Sequence, residues 1–165
     1  MMTEYYIGLG SNLGARQNLL QEAVRHLGLL PEVQVQAVSH MYETPPWGKI
    51  DQPPFLNAVV KIRTDWQPEQ LCSACQHIEQ MLGRVRKEKW GARTIDLDIL
   101  WGDDVCCHNE RLTIPHPYLK ERAFALIPLQ ELAPDLVIDG QAIDVWLEKT
   151  RDREKIRCTG LFKRE

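Results

Sequence analysis

The stretch "RTIDLDIL", Arg93 to Leu100, decides how this chain is read. It alternates acid with aliphatic, so Ile95, Leu97 and Ile99 fall on one face of a strand and Asp96 and Asp98 on the other. Aspartate is a poor strand former, because its short carboxylate competes for backbone hydrogen bonds. Two of them at this spacing need a reason, and the flanking segments supply the context.

Upstream, Leu71, Cys75, Ile78 and Leu82 form the buried stripe of a helix over residues 68–82, with Pro68 in its first turn. Before it, residues 55–63 ("FLNAVVKIR") read as a strand with Leu56, Ala58, Val60 and Ile62 on one face. Phe55 and Asn57 then point the other way. The segment "TPPWGKIDQPP" is too rich in proline and glycine for regular structure. Residues 33–43 alternate as another strand, with a slip at Ala37–Val38. A helix over about 15–29 places Leu19, Leu20, Ala23, Val24 and Leu27 on one face, and Pro31 stops it. Residues 4–9 read as the first strand, ending in the turn "GSNLG".

Downstream lie short, proline-punctuated elements and a last helix near 142–149. The order β-α-β-β-α-β is the ferredoxin-like plan, an α+β fold whose two helices cover one face of an antiparallel sheet. Extra short C-terminal elements follow. The other face is left open unless later segments fill it, and Phe55, Asn57, Asp96 and Asp98 would share that face.

At 165 residues and 44% hydrophobic, the chain suits one domain, residues 1–165, with a real core. A net charge of -3 offers no general attraction to nucleic acid or anionic membrane. The N-terminus lacks a signal-peptide pattern, and no apolar run approaches bilayer length. A cytoplasmic location is therefore expected. The five cysteines include a CxxC, Cys72 and Cys75, which raises a structural zinc site. Cys75 falls on a buried helical stripe, which favours a core thiol.

Parallel carboxylates two residues apart on a strand can hold Mg²⁺ together with substrate phosphate oxygens. Taken alone, they could equally be a solvated strand edge. The preceding segment "GRVRKEKWGAR" carries Arg84, Arg86, Lys87, Lys89 and Arg93, and Gly83 and Gly91 bracket most of this run. Arginine forks suit phosphate, and a hinged basic loop beside an acidic site can close over a nucleotide. Together the two features favour a metal–nucleotide site. Gly8, Gly10 and Gly14 in "GLGSNLG" miss the GxGxxG spacing, and no GK[ST] follows, so this segment reads as a tight turn. An RNA-binding module of the same fold remains a rival, although aromatic residues would be expected where "DLDIL" stands.

"KWGARTIDLDIL" closely resembles the signature of the 6-hydroxymethyl-7,8-dihydropterin pyrophosphokinase family. "GLGSNLG", "YETPPWG", "QPPFLNAVV", "RLTIPHPYLKERAF" and "PLQELAP" occur in that family's order. The resemblance implies transfer of pyrophosphate from ATP to the hydroxymethyl oxygen of a reduced pterin, a step of folate biosynthesis, releasing AMP. It implies that Asp96 and Asp98 hold two Mg²⁺ ions and that Arg84 and Arg93 engage the phosphates as the loop closes. Arg86 and Lys87 would share that task. His116 and Arg122 would contact phosphates near the leaving AMP, with Gln76, Glu79, Ile99, Arg111 and Thr113 lining the rest of the ATP site. The pterin would stack between Phe55 and Phe124, with Thr44 and Asn57 on its polar edge. Pro45, Pro46, Trp47, Trp90 and Asp96 would complete that pocket. Trp47, Lys89, Ala92 and Pro117 depart from residues common at those positions in the family, and none is a metal ligand. Both substrates would be small molecules, with no nucleic acid or membrane partner, and the chain a monomer.

Overall fold

The computed structural model describes residues 2–12, 15–44, 54–83, 95–150 and 155–160. The chain runs β1 (Thr3–Ser11), α1 (Arg16–Leu29), β2 (Val33–Val38), β3 (Met41–Thr44), β4 (Phe55–Thr64), α2 (Pro68–Met81) and β5 (Asp96–Gly102). It continues through β6 (Cys107–His108), β7 (Thr113–Ile114), a 3-10 turn at Leu119–Glu121, α3 (Ala123–Leu132), β8 (Val137–Ile138), β9 (Gln141–Ala142), α4 (Ile143–Glu148) and β10 (Arg157–Gly160).

The main sheet has six strands in the order β10-β3-β4-β1-β5, with β2 also paired to β4. These pairings are antiparallel. Because β2 and β3 lie end to end along β4, they act as one interrupted strand, and the ferredoxin-like arrangement expected from the element order is present. The interruption has a local cause. Ser39 donates its N–H to the carbonyl of Val59 at 2.9 Å, and its hydroxyl accepts from the Val59 N–H at 2.9 Å. A side-chain oxygen thus stands in for a ladder carbonyl. The bulge itself lies between Val35 and Ala37, at the edge of the expected slip.

The first face of the sheet carries the larger core. Leu20, Ala23 and Leu27 of α1, and Leu71, Cys75 and Ile78 of α2, pack on the inward rows of β1, β4 and β5. Ile95, Leu97 and Ile99 belong to this core, so the alternation read from the sequence holds and Asp96 and Asp98 face the other way. Cys75 is 1% exposed, the core thiol that its helical position implied, and all five cysteines are free.

The second face differs from the open surface that the two-helix plan leaves. Leu126 and Leu129 of α3 and Leu147 of α4 pack on Tyr6, Val59 and Leu100. The sequence reading gave this region only short elements, yet α3 has ten residues. Its sequence "AFALIPLQEL" is apolar on nearly all sides and contains Pro128. A helix sandwiched between sheet and helix has no polar stripe to reveal a 3.6-residue period. The register shift in β5, between Ile99 and Trp101, lets Leu100 and Trp101 both join this second core. The second-face core stops at Val59 and Leu100, leaving Phe55, Asn57, Asp96 and Asp98 beyond it. Among the described residues, no helix is long and apolar enough to cross a membrane.

Candidate active site

The sheet register builds one end of the second face from three strands. Gly10 of β1 lies between Asn57 of β4 and Asp96 of β5, and Gly8 lies between Val59 and Asp98. Neighbouring strands are roughly 4.8 Å apart, so Asn57 and Asp96 stand on backbones roughly 10 Å apart with no side chain rising between them. A β-carbon on Gly10 would meet Asn57 Oδ1 at 2.9 Å and Phe55 Cδ1 at 4.0 Å. The space above Gly8 is already taken, since a β-carbon there would meet the Leu100 side chain at 3.2 Å. Among the described residues, the core side chain of Leu100 thus lies over Gly8, whereas Asn57 and Phe55 are the neighbours over Gly10. The sequence reading ended the first strand at residue 9 and made these glycines a turn. In fact β1 continues to Ser11. The missed signal was two glycines at strand spacing, which strip one face of side chains.

One wall of this recess is tightly organised. Asn57 and Thr44 are both buried, and Asn57 Nδ2 donates to Thr44 Oγ1 at 3.0 Å. Phe55, half-buried, lies opposite Thr44 in the ladder. Arg16, which opens α1, donates to the carbonyl of Pro54 at 2.7 Å and pairs with Glu43 at 3.4 Å. Its guanidinium thus ties together the two stems of the segment 45–53. Phe124 lies in the first turn of α3, half-buried against the second-face core.

Beside the edge strand β5 a cleft of about 630 Å³ opens between α2 and residues 109–117. Gln76, Glu79, Asp98, Ile99, Arg111, Thr113 and His116 all line it. These are residues that the family resemblance assigned to the nucleotide and its metal, drawn together from four segments. Asp98 is exposed and Asp96 partly so, and the pair stands where cleft and recess meet. Glu79 is buried, and its carboxylate accepts the Leu97 N–H at 2.8 Å, which caps the backbone of β5 between the two aspartates. Arg111 reaches across to donate to the Ser73 hydroxyl on α2. Arg122 does not line the cleft. Its guanidinium carbon lies 5.1 Å from the centre of the Tyr118 ring and 5.4 Å from that of Phe124, between the His116 segment and the recess.

His116 has a defined role in this geometry. Its N–H donates to the carbonyl of Leu100 at 3.0 Å, fixing it to β5. Its Nδ1 accepts the Tyr118 N–H at 3.2 Å, so a neutral ring carries its proton on Nε2 as a donor. Burial, and then the nearby charge of Arg122, push its pKa down to about 4. The unfolded chain therefore takes up this proton first as pH falls, and stability is lost below about pH 6.5 as the folded pKa is approached. With the ring partly exposed, solvent screening limits the expected loss to about 1–2 kcal/mol. Urea titrations at pH 7.5 and 4.5 should show His116→Gln less sensitive to acid than the parent by that margin. Equal sensitivity would mean that the ring is not held neutral by its surroundings.

Two carboxylates in front of a glycine floor suit a hard cation that completes its shell with water and substrate oxygens. Among the described residues, no group of three or more His, Cys, Asp or Glu residues that could hold a metal occurs. The zinc reading therefore finds no cluster there. Pro45, Pro46, Trp47, Arg84, Arg86, Lys87, Lys89, Trp90, Ala92 and Arg93 lie outside the described residues.

Residues 6–134 match a family model described as 7,8-dihydro-6-hydroxymethylpterin-pyrophosphokinase. A 2-amino-4-hydroxy-6-hydroxymethyldihydropteridine pyrophosphokinase from Methylorubrum extorquens is 49% identical over 148 residues, covering 90% of this chain and 94% of the relative. The Haemophilus influenzae enzyme of the same name is 40% identical, covering 94% of this chain and 98% of its own. A crystal structure of wild-type Plasmodium falciparum HPPK-DHPS with pterin and p-hydroxybenzoate superposes with a TM-score of 0.72 at 16% identity. That match covers 96% of this chain but 46% of the other, so the chain spans about half the length of that solved protein. At such low identity the likeness speaks for the fold alone.

Proposed function

The chain belongs to the 7,8-dihydro-6-hydroxymethylpterin-pyrophosphokinase family, and from that membership we propose how its own residues carry out the family's reaction. It is an ATP-dependent pyrophosphokinase that transfers pyrophosphate from ATP to the hydroxymethyl group of 6-hydroxymethyl-7,8-dihydropterin, a step of folate biosynthesis. The supporting observation is the placement of Asp96 and Asp98 at the junction of a glycine-floored recess and a polar cleft.

In this reading the flat pterin lies over Gly10, stacked between Phe55 and Phe124, with Thr44 and Asn57 meeting its polar edge. By the family resemblance Pro45, Pro46, Trp47 and Trp90 would serve the same pterin site. The nucleotide occupies the cleft along Gln76, Glu79, Ile99, Arg111 and Thr113. Asp96 and Asp98 would hold Mg²⁺ beside the nucleotide, two ions by the family resemblance. When bound, such ions neutralise phosphate charge and align the attacking oxygen, which is most of what phosphoryl transfer asks of a protein.

His116 offers its Nε2 proton to a phosphate oxygen without adding charge. Arg122 brings a fixed cation beside it, and Arg84, Arg86, Lys87 and Arg93 bring theirs from the basic segment. The pterin hydroxyl oxygen bonds to the β-phosphorus and loses its proton to solvent, the bond from that phosphorus to the oxygen bridging the α-phosphate breaks, and AMP leaves. Residues 1–165 act as one domain, a monomer in the cytoplasm.

Product analysis tests the assignment. With ATP, Mg²⁺ and the reduced hydroxymethylpterin, the expected nucleotide product is AMP. ADP would show transfer of a single phosphoryl group and refute the reading.

A further inference from the structure

Two residues of α3 break its apolar sequence, Gln130 and Glu131. Gln130 turns outward to hydrogen-bond Asp144 of α4. Glu131 is the polar side chain with which α3 grips the sheet. Its carboxylate accepts the His40 N–H at 3.0 and 3.1 Å, lies 2.9 Å from His40 Nδ1, and accepts the Tyr42 hydroxyl at 2.6 Å. Burial pushes its pKa up, but the bonds from Tyr42 and His40 outweigh it and hold the carboxyl below its usual range. The group is thus a charged acceptor near neutral pH, with the directional strength of charge-assisted bonds.

In the pterin placement proposed above, the two ends of this grip lie at the two walls of the recess. Tyr42 lies opposite Asn57 in the ladder and two residues before Thr44, whose hydroxyl accepts from Asn57. Phe124 sits seven residues before Glu131, two turns away along one face of the same helix. Among the described residues, α3 also packs on the sheet through apolar contacts of Leu126 and Leu129 with Tyr6, Val59 and Leu100. Apolar contact is non-directional and resists separation more than sliding. The Glu131 bonds are what fix the helix along the sheet.

We infer that Glu131 is a positioning residue for the pterin: by fastening α3 to β3 through His40 and Tyr42, it sets the gap between the Phe124 wall and the Phe55–Asn57 wall. The inference rests on the pterin placement proposed above. It makes pterin binding, and not nucleotide binding, sensitive to a side chain that touches neither ligand.

Steady-state kinetics and melting curves of Glu131→Ala, Glu131→Gln and Tyr42→Phe test it. Glu131→Ala should raise the KM for the pterin by about tenfold or more while the KM for ATP stays within about twofold. Glu131→Gln keeps an oxygen acceptor for Tyr42 and His40 and should recover most of the loss. If Glu131→Ala fails to fold, Tyr42→Phe removes one bond only, and its pterin KM should still rise by about threefold. An unchanged pterin KM, or parallel rises for both substrates, would overturn the inference. If the wild-type enzyme forms AMP normally, such a result leaves the proposed function standing. If the wild type forms no AMP, that reading falls and this one with it.

Discussion

Replacing Asp96 or Asp98 with alanine is expected to lower turnover by about a thousandfold or more while the protein stays folded. The size follows from the chemistry. A metal at a transferring phosphoryl group supplies several kcal/mol of transition-state stabilisation, and about 4 kcal/mol corresponds to a thousandfold in rate. The structural side of the ledger is small. Asp98 is exposed and Asp96 partly so, whereas the strand's packing energy comes from Leu97 and Ile99, which are buried on the opposite face. Substituting an exposed side chain such as Asp98 usually changes stability by no more than about 0.5 kcal/mol. Asparagine at either position keeps the shape and removes the charge, so Asp96→Asn and Asp98→Asn should lose nearly as much turnover as alanine. Steady-state rates paired with thermal melts measure both sides. Turnover that persists, or unfolding in both alanine variants, would make the pair structural.

Gly10→Val is expected to weaken pterin binding by about a hundredfold or more, roughly 3 kcal/mol, with nucleotide affinity held within about twofold. Valine is at home in a strand, so the cost should lie in space and not in backbone. Its β-carbon would be placed 2.9 Å from Asn57 Oδ1. Asn57 cannot swing aside without disturbing its bond to Thr44. The added methyl groups would also fill the floor on which the ring is to lie. Gly8→Ala is the control outside the recess, because the neighbour it meets is the Leu100 side chain and not Asn57. Calorimetric titration of each ligand into both variants separates the effects. Wild-type pterin affinity in Gly10→Val would remove the recess from the account.

What could be read from the sequence follows how strongly each residue's burial contrasts with its neighbours'. The alternation through Ile95, Leu97 and Ile99 against Asp96 and Asp98 is sharp, and it placed both faces of β5 correctly. In β4 the contrast is one of residue type, since Leu56 and Ala58 join the helix-side core while Phe55 and Asn57 do not, although Asn57 is itself buried. Helix α3 carried no such contrast, being buried between sheet and α4, and so the covering of the second face went unseen. Glycines 8 and 10 were legible as glycines but not as a floor, because that meaning depends on which residues the register sets beside them. The nucleotide-side residues, from Gln76 to His116, lie on segments far apart in sequence and gather only when the chain folds. Only the family resemblance named them in advance. Glu131 had no signal beyond being a charge in an apolar run.

Calorimetry with an ATP analogue bearing a methylene bridge between its α- and β-phosphorus atoms reaches the central proposition directly. That analogue cannot release AMP, so binding is read apart from chemistry. Two proteins are compared, the wild type and the Asp96→Asn/Asp98→Asn double variant, each with Mg²⁺ present and with Mg²⁺ chelated. The account predicts that removing Mg²⁺ weakens binding to the wild type by about a hundredfold, and that the variant binds weakly under both conditions. An identical response to Mg²⁺ in the two proteins would contradict it.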